Sequence, residues 1–326
     1  MIPPIILSDT DDNLARCARA ISNGQLVAFP TETVYGLGGD ATCDIAVSSI
    51  FETKQRPNFN PLIVHVADTA TAKKIVQFNS RAEALADAFW PGPISLVLPR
   101  HKNCGLSLLV SAGLDSVAVR VPAHPLAQKF LTKVACPIAA PSANPSEEIS
   151  PTTALHVLYS FSAINSSDSL LVLDGGACEV GLESSVIDLT SEQTVLLRPG
   201  GITDEAIQTV TGKLTFATND ERTPKSPGML SRHYAPSTPL RLNALYVKEG
   251  EILLGFGPTS DDTQFNLSES GNLVEAAANL FAMLRALDAV TPTCIAVMPI
   301  PLEGLGLAIN DRLRRAAAPQ LELSDT

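Results

Sequence analysis

Asp12-Asn-Leu-Ala-Arg-Cys-Ala-Arg-Ala-Ile-Ser22, followed by Asn23-Gly24-Gln25 and then Leu26-Val-Ala-Phe29-Pro30, decides the fold class. The first part reads as an amphipathic helix, and Asn-Gly stops it. The second is a short apolar run ended by proline, which reads as a strand. The same alternation continues outward along the chain. Asp44 caps a helix that runs to about Lys54. Leu62 to Val66, Leu96 to Leu98 and Val117 to Val121 are strands by period and β-branching. Helices are expected at about 70–78, 81–89 and 125–134. Pro137 to Ala140, Leu170 to Leu173, Ser185 to Leu189 and Thr194 to Leu197 add strands, and Thr203 to Val210 closes the series as a helix. Several strand pairs are too close in sequence for helical crossovers, so the expectation is an α/β domain on a mixed sheet.

Composition changes at about 212, where prolines and small polar residues replace apolar periodicity. The chain therefore divides into a domain at 1–212, a linker or lid loop at 213–239 and a smaller α/β domain at 240–326. In the last, Ile252 to Gly255 and Cys294 to Met298 read as strands, and Leu273 to Leu287 and Asn310 to Ala318 as helices. With 45% hydrophobic and 17% charged residues among 326, the chain has material for two cores. Its net charge of -11 argues against non-specific binding to nucleic acid or anionic membrane. The six cysteines form no C-x-x-C pair, which fits free thiols in a reducing compartment rather than a zinc site or a disulfide scaffold. No secretory signal and no uninterrupted apolar span is visible, so the expected location is the cytoplasm.

Five groups of residues could carry chemistry. Lys54 and Arg56 end a helix and enter the proline-bounded loop Asn58-Phe-Asn60-Pro61; they either complement the helix dipole or clamp phosphate. His65 and Arg120 are polar positions on apolar strands, facing away from the branched residues. They are solvent-facing positions or one wall of a site, where Arg120 suits a small carboxylate. Ala140-Pro-Ser142-Ala-Asn144-Pro145 leaves a strand with small residues, then a hydroxyl and an amide, as an ordinary turn or a ligand shelf would. Gly181-Leu-Glu183-Ser184-Ser185 precedes Leu197-Arg198-Pro-Gly-Gly201, whose glycines would let backbone amides face an anion or simply turn a hairpin. The linker carries Met229, His233 and Tyr234, odd choices for an inert tether. No nucleotide-binding, zinc-protease or serine-hydrolase fingerprint occurs.

Together these stretches resemble one family, the two-domain YrdC-type threonylcarbamoyl-AMP synthases. The likeness rests on Phe29-Pro-Thr31-Glu-Thr33-Val-Tyr35-Gly36, Lys54-x-Arg56 with Asn60-Pro-Leu62, and Ser142-x-Asn144. It continues through Leu197-Arg198-Pro-Gly to Ser226-Pro-Gly-Met229 and His233-Tyr234-x-Pro236, in the family's order over nearly the whole chain. The resemblance implies a twisted mixed-sheet YrdC-like domain with a concave basic cavity, followed by a smaller Rossmann-like domain, with the linker crossing the cavity. By matching position it implies threonine contacts from Thr33, His65, Arg120, Ala140 and Ser184. It implies ATP contacts from Arg56, Asn60, Ser116, Ser142, Asn144, Ser150, Arg198 and His233 or Tyr234, with Lys54 and Arg56 as the catalytic phosphate clamp.

The implied reaction joins threonine to bicarbonate and passes the carbamate to the α-phosphorus of ATP, with Mg²⁺ carried on the phosphates rather than by a protein metal site. The product would go to a threonylcarbamoyl-transferase that modifies tRNA. Two other readings are an RNA-binding module, which the acidic balance opposes, and a regulatory ATP-binder, which a turnover assay separates. A carbamoyltransferase with zinc fingers is disfavoured by the missing C-x-x-C pairs.

Overall fold

The computed structural model describes residues 3–57, 59–162, 169–217, 232–259 and 264–319. The first unit contains β1 (Ile5–Leu7), α1 (Asp11–Ser22), β2 (Val27–Phe29), β3 (Gly36–Asp40), α2 (Asp44–Lys54), β4 (Ile63–His65), α3 (Thr69–Ile75) and α4 (Ser80–Phe89). It continues through β5 (Ile94–Pro99), β6 (Ser116–Arg120), α5 (Pro125–Val134), β7 (Ile138–Ala139), α6 (Ala154–Phe161), β8 (Leu171–Leu173), β9 (Ser185–Asp188), β10 (Thr194–Arg198), α7 (Asp204–Thr211) and β11 (Leu214–Phe216). The strands form one mixed sheet in the order β1-β8-β2-β3-β7-β4-β6-β5-β9-β10-β11.

Local chemistry explains the helices that were legible. Thr10 caps α1 by accepting from the Asn13 amide at 3.3 Å, and two aspartates fill the first turn. Its buried stripe of Leu14, Cys17 and Ile21 packs with Leu126, Phe130 and Leu131 of α5 against β1, β2 and β8. The branched residues of the central strands, Val64, Val66, Val117, Val119 and Leu96, form the larger core with Ile50 and Phe51 of α2, Leu85 of α4 and Ile207 of α7. Helices thus cover one face of β4, β5 and β6. The opposite face carries only a small apolar cluster, Ile63, Val97, Ala118, Val186 and Leu197, and that face bears the polar residues of interest.

Five elements depart from the sequence reading: the short strands β1 and β12, for which no strand was expected, and three more. β3, seen only as a glycine-rich run, is a strand between β2 and β7. A Cβ on Gly38 would lie 2.8 Å from Ile138 Cγ2 and 2.9 Å from Phe29 Cε1, so glycine lets the Phe29 ring lie against the strand. α6 was not anticipated, although Thr153 caps it by accepting from the His156 amide at 3.2 Å. β11 pairs in parallel with β10 inside the stretch read as the start of the linker. Leu214-Thr215-Phe216 is only three residues long at the sheet edge, too short to show a period of its own among its polar neighbours.

The second unit comprises the described residues from 232 onward together with Glu147–Ile149. It holds β12 (Leu240–Arg241), β13 (Glu251–Leu254), α8 (Leu273–Val290), β14 (Cys294–Val297) and α9 (Leu305–Ala316). The three strands are parallel in the order β12-β14-β13, the small α/β arrangement expected. Leu254, Leu280, Phe281, Leu284, Ile295 and Ile309 are wholly buried in it. Most of the segment read as a lid, residues 218–231, lies outside the described residues. No described helix is long and apolar enough to cross a membrane.

Candidate active site

Strand register brings the first group together. β4 and β6 run parallel with His65 opposite Arg120 and Ile63 opposite Ala118, so all four share the face away from the helices. Arg120 is buried, and its guanidinium is held three ways. Nε donates to Gly92 O at 3.2 Å, one terminal nitrogen to Thr33 Oγ1 at 2.9 Å and the other to Glu32 Oε1 at 2.7 Å. Glu32 Oε2 accepts from the Ala123 amide at 3.0 Å. Among the described residues three of its five donors are thus engaged, and one N–H on each terminal nitrogen is left over. The Pro30–Tyr35 turn that carries Glu32 and Thr33 is pinned internally: Thr31 Oγ1 donates to Val34 O at 2.6 Å and lies 2.7 Å from Thr33 Oγ1.

His65 stands beside this pair with the Phe29 ring edge-on, centroids 5.9 Å apart. Its Nδ1 is buried without a hydrogen-bond partner among the described residues. Burial, and behind it the positive charge of Arg120, push the imidazole down to about 3, so it is neutral at physiological pH. β7 lies next to β4, and Ala140 follows it, with its amide donating to Ile63 O at 3.0 Å.

The shelf beyond Ala140 is organised by Lys54. The lysine is buried at the end of α2, and its ammonium donates to the carbonyl oxygens of Ser142, at 2.6 Å, and of Asn144. Lys54 therefore shapes the shelf through its main chain, a role that spacing did not foresee. Arg56 is also buried and donates to Asn60 O at 3.3 Å and Pro61 O at 3.1 Å. Asn60 is buried with both side-chain atoms unpartnered among the described residues. A buried amide with no partner is costly, and a ligand hydrogen bond would relieve it.

The third group sits on β9 and β10. Arg198 is buried and donates from Nε at 3.2 Å and from a terminal nitrogen at 2.9 Å to Ser184 O. The same terminal nitrogen reaches Ser184 Oγ at 3.2 Å. Ser150 Oγ donates to Glu183 Oε1 at 2.5 Å. In the glycine turn after Arg198 the Gly201 amide is already engaged within the protein, donating to Glu183 O at 3.1 Å, which fits the plain-turn alternative. A Cβ on Gly200 would stand 2.4 Å from the 183–185 backbone, so that glycine is there for close approach of two chain segments.

Other predicted residues stand apart. Ser116 opens β6 on the Ala118–Arg120 face but shares no hydrogen bond with these groups. His233 and Tyr234 belong to the second unit. Tyr234 stacks on Phe281, centroids 5.5 Å apart, and lies under the Arg312 guanidinium at 5.2 Å. Sequence reasoning gave no role to Glu32, Glu183 or Ser95. Glu32 and Glu183 lie inside quoted motifs, and an acid in a segment that ends buried is itself a signal of a paired charge.

Residues 19–200 match the family described as "Telomere recombination", and residues 202–318 match "Threonylcarbamoyl-AMP synthase, C-terminal domain". The chain belongs to the threonylcarbamoyl-AMP synthase family of enzymes. The threonylcarbamoyl-AMP synthase of Pyrococcus abyssi is 41% identical over 319 residues, covering 91% of this chain and 92% of that protein. That of Bacillus subtilis is 39% identical, covering 95% and 94%. A crystal structure of P. abyssi Sua5 complexed with L-threonine superposes with a TM-score of 0.86 at 38% identity, covering 96% of this chain and 97% of that one. Family membership thus extends over both units, including the second, whose sequence motifs were the least distinctive.

Proposed function

We propose that the chain makes L-threonylcarbamoyladenylate and pyrophosphate from ATP, L-threonine and bicarbonate, the first step of N6-threonylcarbamoyladenosine formation in tRNA. The observation that carries this reading is the buried Arg120, fixed by Glu32 and Thr33 with donors to spare, beside a neutral His65. It is a receptor for a small carboxylate on a water-poor face, and a related protein is described as complexed with L-threonine.

In this reading Arg120, Thr33, His65, Ala140 and Ser184 hold the amino acid. Arg56, Asn60, Ser116, Ser142, Asn144, Ser150 and Arg198 serve the nucleotide, with His233 or Tyr234 from the second unit. The unprotonated amine of threonine adds to the carbon of bicarbonate and water leaves, giving a carbamate. A carbamate oxygen then attacks the α-phosphorus, and the bond to pyrophosphate breaks. The carbamate is already an anion, so this step asks for alignment and charge neutralisation rather than a strong base. Lys54, through the Ser142–Asn144 backbone, and Arg56 supply that alignment. Mg²⁺ would arrive on the triphosphate and neutralise part of its charge. The adenylate would pass to a threonylcarbamoyl-transferase acting on tRNA. The net charge of -11 supports a protein that does not itself hold tRNA tightly.

Incubation with ATP, bicarbonate and radiolabelled threonine tests the reading. The expected result is pyrophosphate together with a threonine-containing adenylate, and no release when threonine or bicarbonate is omitted. Serine is expected to react less well, by the ~1–3 kcal/mol that one methyl is worth in an apolar pocket. ATP binding without turnover would instead make the chain a regulatory nucleotide binder.

A further inference from the structure

Ser95 on β5 is wholly buried, and no role in the chemistry has been given to it above. It pairs with Val186 of β9, and the register Leu96 to Val119 sets it level with Arg120 of β6. It therefore stands on the site face between the arginine of the carboxylate receptor and the Ser184–Arg198 group. Its hydroxyl lies 2.8 Å from Ser184 Oγ, its one side-chain partner among the described residues.

The direction of that bond matters. Ser184 Oγ already accepts from Arg198, because a guanidinium can only donate. If Ser184 gave its proton to Ser95, Ser184, the member of the pair assigned to the amino acid, would have no proton left to offer a ligand. If Ser95 donates, Ser184 fills both lone pairs and keeps one proton with no acceptor in the described protein. An oxygen of the bound amino acid can take that proton.

We propose that Ser95 is a positioning residue: it donates to Ser184 and so commits the Ser184 hydroxyl to donate to an anionic oxygen of the amino-acid substrate, its carboxylate or its carbamate. The ammonium group is excluded as the partner, since Ser184 has no lone pair left for it. The proposal rests on the substrate reading above and adds a residue and a hydrogen-bond direction to it.

The test is steady-state kinetics of pyrophosphate release by the full chain for wild type, Ser95→Ala, Ser95→Thr, Ser184→Ala and the Ser95→Ala/Ser184→Ala double variant, with melting temperatures alongside. Losing one hydrogen bond of this kind predicts a rise in KM for threonine of about five- to tenfold in Ser95→Ala, with KM for ATP within about twofold. Ser95→Thr restores the hydroxyl and returns KM towards wild type. The double variant is no worse than Ser184→Ala, because the two residues act through one bond. Unchanged kinetics in Ser95→Ala, equal effects on both substrates, or additive losses in the double variant overturn the proposal while leaving the function standing. A wild-type protein without threonine-dependent release overturns both.

Discussion

Arg120 and Glu32 form a buried pair, 4% and 8% exposed, whose partners cannot be removed singly without cost. Replacing Arg120 by methionine strands the Glu32 carboxylate and is expected to cost about 3–5 kcal/mol in urea denaturation. Adding Glu32→Gln to that variant should recover much of the loss, because no buried charge is then left alone. On ligands, Arg120→Ala is expected to weaken threonine binding more than ATP binding, and Arg56→Ala to do the reverse, read by calorimetric titration of each. Equal effects of both on both ligands would break the assignment. His65 gives a pH signature. Its folded state stays neutral down to about 3, whereas the unfolded chain takes a proton near 6.5. The stability it contributes is present above pH 6.5 and is lost as pH falls from there towards 3. Between pH 6.5 and 5, wild type should lose about 1.6 kcal/mol more than His65→Gln, measured by denaturation at each pH. Period-2 alternation was enough to find His65 and Arg120, since a polar residue on an apolar strand is visible in the sequence. Glu32 was not, because its partner is 88 residues away and only register brings them together.

At the scale of elements, β3 shows what a sheet asks of glycine. Gly38→Ala puts a methyl 2.8 Å from Ile138 and 2.9 Å from Phe29, both within the sheet's packed layer. The strand cannot move away, being paired with β2 on one side and β7 on the other. A loss of about 1–3 kcal/mol in chemical denaturation is expected, with a secondary rise in KM for threonine because Phe29 is the ring packed on His65. Gly24→Ala makes the control: there a Cβ meets nothing within 4 Å, and only the positive φ of 77° is strained. Elements with a dense apolar period, such as α1, β6 and α8, could be read directly from the chain. Those defined by partners could not: β3 has almost no side chains to carry a pattern, and β11 exists because β10 offers it an edge.

For the whole molecule, the division of candidate residues between the two units makes a prediction of its own. All five threonine candidates lie in the first unit, whereas His233 and Tyr234 lie in the second, where Tyr234 packs on Phe281 and Arg312 and His233 against Tyr234. A chain ended after residue 217 keeps β11 and every strand of the large sheet, along with its core clusters, so it should fold. Ending at 212, where composition changes, would instead remove β11 and leave the β10 edge bare. The 217 fragment loses the partners of Glu147–Ile149, whose contacts are with the second unit: Ala235 N donates to Glu147 O at 2.8 Å, and Arg285 donates to Ile149 O. Three residues of one loop are thereby loosened, while every strand of the large sheet is kept. The fragment should therefore bind threonine by calorimetry with an affinity within about tenfold of the full chain, the scale of one or two lost interactions. Its yield of adenylate should fall far more, because a mixed anhydride forms and survives only where nucleotide contacts are complete and water is kept out. If the fragment makes adenylate as fast as the full chain, His233 and Tyr234 have no part in the chemistry. If it folds yet binds no threonine, the receptor around Arg120 depends on the second unit, and the assignment of threonine to the first unit alone fails.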